Sequence, residues 1–465
     1  MHSTFDALCI AAGAALWALY AAPSRNRSFT AMFQLARCGR APPDTSFRRG
    51  SPRVRGRVGA VAVPCRVPRF RASCLGALLV AVAGCGGSGA GARTSPQADL
   101  QHRRAPAAVT MPIGAPLSSR PAKRPAAPAR SPAVELTVEV NGDLLIHSPV
   151  WEQALADGHG HYDFSPMLRE ITPLIKRADL AICHVETPMT PRRPSGYPVF
   201  NTPTELASAI RKAGWRICDT ASNHSVDQGQ YGIDQTLRAL DRAGVLHTGS
   251  FASSTSHNRT LMVTVKGIKV AFLAYTEMTN GIPLPHPWSV NLAHVAAVRR
   301  AARVARRRGA QVVIVNFHWG DEYVSEPSAF QRSVADALTR DPDITAIVGQ
   351  HVHVVQPIQR LNGKLVVFGE GQLLSNQSSA CCPVNTEDGM MVFLHLVVRG
   401  RRAHVASIAY VPTWDRRPDY TVIPIGIGLA GHQAPADVLR ASYDRTTSTV
   451  GRISQVVFPM PAHIH

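Results

Sequence analysis

Five short segments carry side chains able to hold a metal ion or move a proton, and each stands where an apolar, strand-like run ends. They are Gly142-Asp143 with His147, His184-Val185-Glu186, Ser222-Asn223-His224, the stretch from His318 to Tyr323, and Gly349-Gln350-His351-Val352-His353. Imidazole, carboxylate and amide oxygens without a thiolate suit Mn, Fe or Zn in a reactive centre rather than a Cys-bound structural zinc. Taken singly the segments say little. Asn-Gly-Asp is foremost a turn signal, and a lone His318 is as well explained by a hydrogen-bonded core. His351 and His353 say more, because alternate residues of an extended segment point to one side. Their joint placement is what matters, since ligand sites in open α/β sheets gather beyond the carboxyl ends of strands.

The elements that must position them are legible as periodicity. Val134 to Val140 alternates apolar and polar residues as a strand does, and ends at Asn141-Gly142-Asp143. β-Branched runs recur at Asp179 to Val185, Trp215 to Ala221, Ile268 to Tyr275, Gln311 to Phe317, Ile344 to Val348 and Lys364 to Phe368. Between them, Pro166 to Arg177, Thr204 to Ala213, Tyr231 to Ala243, Leu292 to Arg308 and Ser328 to Thr339 repeat apolar residues at helical spacing. Strands alternating with helices predict an α/β sheet architecture. Lys266-Gly267 and Arg399-Gly400-Arg401 predict hairpins, so the sheet is mixed. Trp215 and Phe272 read as core.

The net charge of +19 suggests a nucleic-acid partner until it is located. Up to Ala133 there are 19 Lys/Arg against 3 Asp/Glu, which leaves only +3 for Val134 to His465. Arg306, Arg307 and Arg308 end a helical pattern before Gly309, where cations complement the helix dipole. Nucleic-acid binding is therefore not expected. Arg66, Arg69 and Arg71, the apolar stretch Cys74 to Val82, and then Ala83-Gly84-Cys85 follow the order of a signal peptide. The final residues resemble a bacterial lipobox, which makes Cys85 the lipidated mature N-terminus; an ordinary cleavage site that happens to contain Cys would export the chain equally. Residues 1–84 are read as this leader, with translation starting near Val67 as one explanation of its length. Residues 85–133, rich in Pro, Ala and Arg, are a disordered tether. Residues 134–415 form the one large domain and 416–465 a loosely packed tail. Among the nine cysteines no zinc-ribbon spacing occurs. Adjacent Cys381 and Cys382 are too strained for an ordinary disulfide with one another, and the pairing of Cys183 and Cys218 stays open.

In this order the five segments resemble the CapA family of bacterial capsule (poly-γ-glutamate) synthesis proteins, over roughly Leu136 to Gln377. That family is similar to the calcineurin-like metallophosphoesterases, so the resemblance implies a sandwich of two mixed sheets flanked by helices, holding two divalent ions. It implies that Asp143 and His353, with His147, bind the first ion, that Glu186 bridges both, and that Asn223, His318 and His351 hold the second. His224 would be the proton donor to a leaving oxygen. Asn316, Trp319, Tyr323 and Glu370 are candidate pocket residues. Three departures stand out: Ser222 where the family often has Asn, Gln350 where His or a small polar residue is common, and Phe368-Gly369-Glu370-Gly371-Gln372 in place of Ser-Leu-Gly-Asn-Phe.

The resemblance implies a role in envelope polymer metabolism at the outer face of the plasma membrane, with an anionic polymer such as poly-γ-glutamate and a capsule synthesis complex as partners. The ligands imply hydrolytic chemistry. No Gly-x-x-x-x-Gly-Lys-Ser/Thr loop is present, so the chain is not the ATP-using ligase, and no Gly-x-Ser-x-Gly elbow supports a serine hydrolase. The alternative is a polymer-binding or membrane-assembly subunit whose metals are structural.

Overall fold

The computed structural model describes residues 132–451 and the backbone of 456–459. The leader, Cys85 and the tether up to residue 131 lie outside the described residues. Strands β1 (Val134–Asn141) and β2 (Asp143–Leu144) precede α1 (Ser148–Asp157). Alternation follows: β3 (Leu180–Val185), α2 (Leu206–Ala213), β4 (Ile217–Asp219), α3 (Gly229–Ala243) and β5 (Leu246–Thr248). The hairpin of β6 (Met262–Val265) and β7 (Ile268–Thr276) turns at Lys266-Gly267, both at positive φ. Next come α4 (Val295–Arg307), β8 (Val312–Trp319), α5 (Ala329–Thr339), β9 (Ala346–His351), β10 (Ile358–Leu361) and β11 (Lys364–Val367). Finally β12 (Gln372–Leu374), β13 (Asp388–Arg399), β14 (Arg402–Arg416), β15 (Thr421–Pro424), α6 (Ala436–Val450) and β16 (Val456–Pro459) complete the fold.

Two mixed sheets result. The larger runs β12-β2-β3-β1-β13-β14-β15, with β4 and β5 extending from β3 and β16 beside β14; the smaller runs β10-β11-β9-β8-β7-β6. One buried cluster draws Val138, Ile182 and Leu394 from the first sheet and Phe272, Ile314 and Val348 from the second, which is how two sheets stack on a shared apolar layer. The opposite face of the first sheet buries Ala181, Cys183 and Val185 with Leu206, Ile210 and Leu240 of the helices. The opposite face of the second buries Val313, Val315 and Phe317 with Val298, Ala302, Val334 and Leu338. The layers are helix, sheet, sheet, helix.

Expectation and structure part company in three places. Pro166 to Arg177 is not one helix but a 3₁₀ turn at Pro166–Leu168 and a single α-turn at Thr172–Ile175; Pro173 has no N–H to continue the ladder. The helix Ser148–Asp157 was not anticipated. The segment beyond 415 does not lie loosely: β15 pairs with β14, and Arg445 of α6 grips buried Asp388 with two bonds of 2.6 and 2.7 Å while Ser442 donates to the same carboxylate, a geometry that orders both partners. Cys183 and Cys218, directly opposite one another in the parallel β3–β4 pair, form a disulfide.

Glu139 holds a polar position in the alternation of β1 yet is buried. Its buried carboxyl accepts from Asn141 Nδ2 (2.9 Å) and Trp215 Nε1 (3.0 Å), and burial pushes its pKa up to about 8 despite those bonds. Unfolded, it ionises near 4.5; folded, near 8. The folded chain therefore holds the extra proton between those values, and stability falls as pH rises through that window. Glu139→Gln is expected to flatten this slope, read as urea midpoints of both proteins across pH 5 to 8.

Candidate metal centre

The layer between the sheets is apolar along most of each strand and turns polar at the carboxyl ends. In β3 the inward position after Ile182 is His184; in β4 the one after Ile217 is Asp219; in β8 Ile314 is followed by Asn316 and His318; in β9 Val348 is followed by Gln350. All five polar side chains are buried. Asp143 at the start of β2, His351 at the end of β9, and Glu186, Asn223 and His353 in the segments after β3, β4 and β9 join them, also buried. The Asn-Gly-Asp segment is more than a turn: a Cβ on Gly142 would stand 2.0 Å from the carbonyl of Gly371, and that close approach lets Asp143 N donate to the same carbonyl at 3.1 Å.

Asp143 and Glu186 face the histidines from one side. His353 Nδ1 lies 3.2 Å from Asp143 Oδ2, while His184 Nε2 and His318 Nδ1 lie 3.6 and 3.8 Å from Asp143 Oδ1. Glu186 Oε1 is 3.7 Å from His318 Nε2 and 4.0 Å from His353 Nε2. Asn223 Oδ1 stands 2.8 Å from His318 Nε2, and His351 Nδ1 is 3.1 Å from that same nitrogen. Asp143, Glu186 and His353 form one group able to hold a cation, Asp143, His184 and His318 another, and Glu322, His351 and His353 a third. Both oxygens of Glu186, Nδ1 of His318 and Nε2 of His184 are buried without a hydrogen-bond partner. Such groups are costly unless something satisfies them, and divalent cations held by these groups would do so.

Two of the histidines agree with that. Burial, then the neighbouring histidines, holds His318 and His351 well below the usual imidazole range, so both keep the lone pairs a cation needs. Burial and then the charge of Asp143 push Glu186 well up. His353 goes the other way, because the bond and charge of Asp143 outweigh burial. His351 and His353 do not converge through strand alternation, as expected, but through a turn: their φ angles are 95° and 60°, values that non-glycine residues adopt at a cost of order 1–3 kcal/mol.

Of the expected ligands, Asp143, Glu186, Asn223, His318, His351 and His353 come together. His147 belongs to none of the three cation groups; its Nδ1 lies 3.1 Å from Leu145 O and 3.3 Å from Asn376 N, and burial lowers its pKa to about 3. His224 sits beside the cluster, its Nδ1 2.8 Å from Asp227 Oδ2 and its ring edge-on to Phe200. Of the four pocket residues only Tyr323 lines the mouth, its ring centre 6.0 Å from that of His353. Trp319 alternates to the other face of β8, stacked on Phe317 with Nε1 donating to Phe368 O. Asn316 and Glu370 lie beneath the cluster: Asn316 Nδ2 donates to Asp219 and to Gln350 Oε1, and Gln350 Nε2 donates to Glu370 Oε2 at 2.8 Å. Two departures from the family pattern, Gln350 and Glu370, thus partner each other. The third, Ser222, donates its hydroxyl to the Glu186 carbonyl at 2.5 Å and fixes the loop that carries that ligand.

Sequence reasoning missed Asp219, and it placed His184 and Glu322 in metal-capable segments without giving either a role. His184 Nδ1 is 3.2 Å from Asp219 Oδ2, and its other nitrogen faces Asp143, which is the carboxylate–histidine arrangement that orients metal ligands. Continuing the inward alternation of β3 and β4 by one position finds both residues. Glu322, exposed at the rim, places Oε1 4.0 Å from His353 Nε2.

Two facing sheets, helices outside and a histidine–carboxylate cluster at the strand ends define an α/β sandwich with a candidate metal centre. The family model of the bacterial capsule synthesis protein PGA_cap matches residues 137–377, just over half of the chain, which therefore belongs to that family. The chain is 25% identical over 273 residues to the capsule biosynthesis protein CapA of Bacillus anthracis, covering 56% of this chain and 64% of that one, so it spans less than two thirds of that relative. It is 24% identical over 285 residues to the PGA biosynthesis protein CapA of Bacillus subtilis, covering 57% and 69%. Among solved structures, a calcineurin-like phosphoesterase from Bacillus subtilis aligns with a TM-score of 0.40 at 14% identity, over 69% of this chain and 100% of that one. A 5'-nucleotidase precursor from Thermus thermophilus aligns with a TM-score of 0.35 at 15% identity, over 58% and 54%.

Asp219→Asn keeps the size of the side chain and removes the charge behind His184. Metal affinity, measured by competition with a chelator, is expected to fall about 10–100-fold, with the circular dichroism spectrum unchanged.

Proposed function

We propose that this chain is an exported, lipid-anchored member of the capsule synthesis family that hydrolyses a phosphate- or amide-linked bond in an anionic envelope polymer of the poly-γ-glutamate kind, using a two-metal centre. The observation that carries this reading is Glu186: a fully buried carboxylate with no hydrogen-bond partner on either oxygen, ringed by Asp143, His318 and His353. Asp143, His353 and Glu186 would hold one ion; Glu186, Asn223, His318 and His351 would hold the other. Mn, Fe or Zn suit these donors. Ions bound there would supply Lewis acidity and a readily deprotonated water.

The chain's own groups take the remaining parts. Asp227 fixes His224 with Nδ1 toward its carboxylate, which leaves Nε2 as the atom that passes a proton to the leaving oxygen. His184, held by Asp219, orients Asp143. Tyr323 and Glu322 border the entrance and constrain how an extended polymer lies across it. The Cys183–Cys218 disulfide supports export, since such bonds persist in oxidising surroundings. Among the described residues no helix is long and apolar enough to cross a membrane; the anchor in this reading is the lipid on Cys85, and the assembly it joins is a capsule synthesis complex.

Metal analysis of the purified chain is expected to find about two ions per molecule, both diminished in Glu186→Gln and His353→Ala. Turnover of a generic phosphodiester or of poly-γ-glutamate should disappear in the same variants. Tight metal without turnover on either substrate would favour a polymer-binding or assembly subunit with structural metals, and a folded chain that takes up no metal would sink the site.

A further inference from the structure

The loop from β12 to β13 forms the edge of the metal centre beside Tyr323 and carries Cys381 and Cys382. Their Sγ atoms lie 2.7 Å apart, closer than unbonded sulfurs pack and not far beyond the roughly 2.05 Å of a disulfide. Neither thiol belongs to the core: Cys381 is exposed and Cys382 half-buried. Both backbone N–H groups donate to the one carbonyl of Ser378, at 2.9 and 2.8 Å, so the turn itself holds the two side chains together. The residues just before the pair are tied to the site. Gln377 Nε2 donates to Tyr323 Oη at 3.0 Å, and Asn376 N donates to His147 Nδ1 at 3.3 Å.

We propose that Cys381 and Cys382 are a modification site: a dithiol that oxidises to a vicinal disulfide and thereby loosens the Tyr323 edge of the metal centre. The oxidant is a disulfide of the glutathione class. One cysteine thiolate attacks a sulfur of the oxidant and expels a thiolate, giving a mixed disulfide; the neighbouring cysteine, as thiolate, attacks the protein sulfur of that bond and expels the second thiolate. The protein gives up two protons and two electrons, and the oxidant becomes two thiols. Adjacency makes the closed ring strained, and strained, exposed disulfides are the readily reversed ones. The constrained peptide inside that ring cannot keep both N–H groups on Ser378 O. The turn gives way, and with it the Gln377 bond that holds Tyr323 near His353. The effect on the centre rests on the metal reading given above; the disulfide itself does not.

The test uses the full chain, metal-loaded, titrated with oxidised glutathione and then alkylated. Trypsin releases residues 365–399 as one peptide containing these two cysteines and no other. Oxidation is expected to make this peptide two hydrogen masses lighter and refractory to alkylation, and to make a chelator strip the metal severalfold faster. Cys381→Ser and Cys382→Ser should each stop at a single mixed disulfide, one glutathione heavier and with no internal bridge, and show a stripping rate indifferent to oxidant. A peptide that still takes up two alkyl groups, keeps glutathione on both sulfurs or bridges to another cysteine would overturn the dithiol. An oxidised peptide with an unchanged stripping rate would overturn its coupling to the site. A chain that binds no metal still reports the disulfide by peptide mass, so the two readings fail separately.

Discussion

A buried carboxylate that nothing in the polypeptide neutralises governs this half of the molecule. Glu186 has both oxygens out of solvent and out of hydrogen bonding, and an isolated charge in such surroundings is costly unless paired or metal-bound. The surrounding architecture reads as an answer to it. The two sheets separate there into polar instead of apolar inward positions. Ser222 fixes the carbonyl of Glu186 itself, and burial keeps His318 and His351 in the form that can donate a lone pair. Remove that carboxylate and the reason for the polar end of the sandwich goes with it.

Behind the centre lies a second layer with no access to solvent. Asp219 meets His184 and Asn316, Asn316 meets Gln350, and Gln350 meets Glu370 and the carbonyl of Asn141. The chain of contacts runs from one sheet to the other. Buried polar networks specify a unique arrangement when satisfied and are expensive when broken. Gln350 and Glu370 bond to each other beneath the site rather than lining it.

Much of this was open to sequence reasoning, and the rest was not for identifiable reasons. Periodicity gives the succession of strands and helices, and the order of five polar segments gives the resemblance that implies the sandwich and seven candidate ligands, six of which the fold brings together; period and strand ends are properties of local sequence. His147 sits only four residues past Asp143, yet a turn takes it to Leu145 and Asn376 instead. The face a residue adopts at a strand end cannot be read where the strand stops being regular. Trp319 shows the same limit from the other side: adjacent to His318, it must face away from it. The helical spacing of Pro166 to Arg177 misled because Pro173 breaks the ladder that the spacing presumes. His184 stood in a named segment whose Glu186 took the assignment, and Asp219 was hidden because it stands in no motif.

The Cys183–Cys218 bond lies one residue from His184 and Asp219, on the opposite face of the same two strands. The pleat makes each of these pairs a register pair, so the bond that ties the outer face also indexes the inner one. Two parallel strands can ordinarily slide by a step and present the wrong face; here they cannot slide at all. The sheet may loosen its helices or its loops and still keep imidazole and carboxylate opposite one another, which makes alignment of this pair a matter of covalent connectivity rather than of packing.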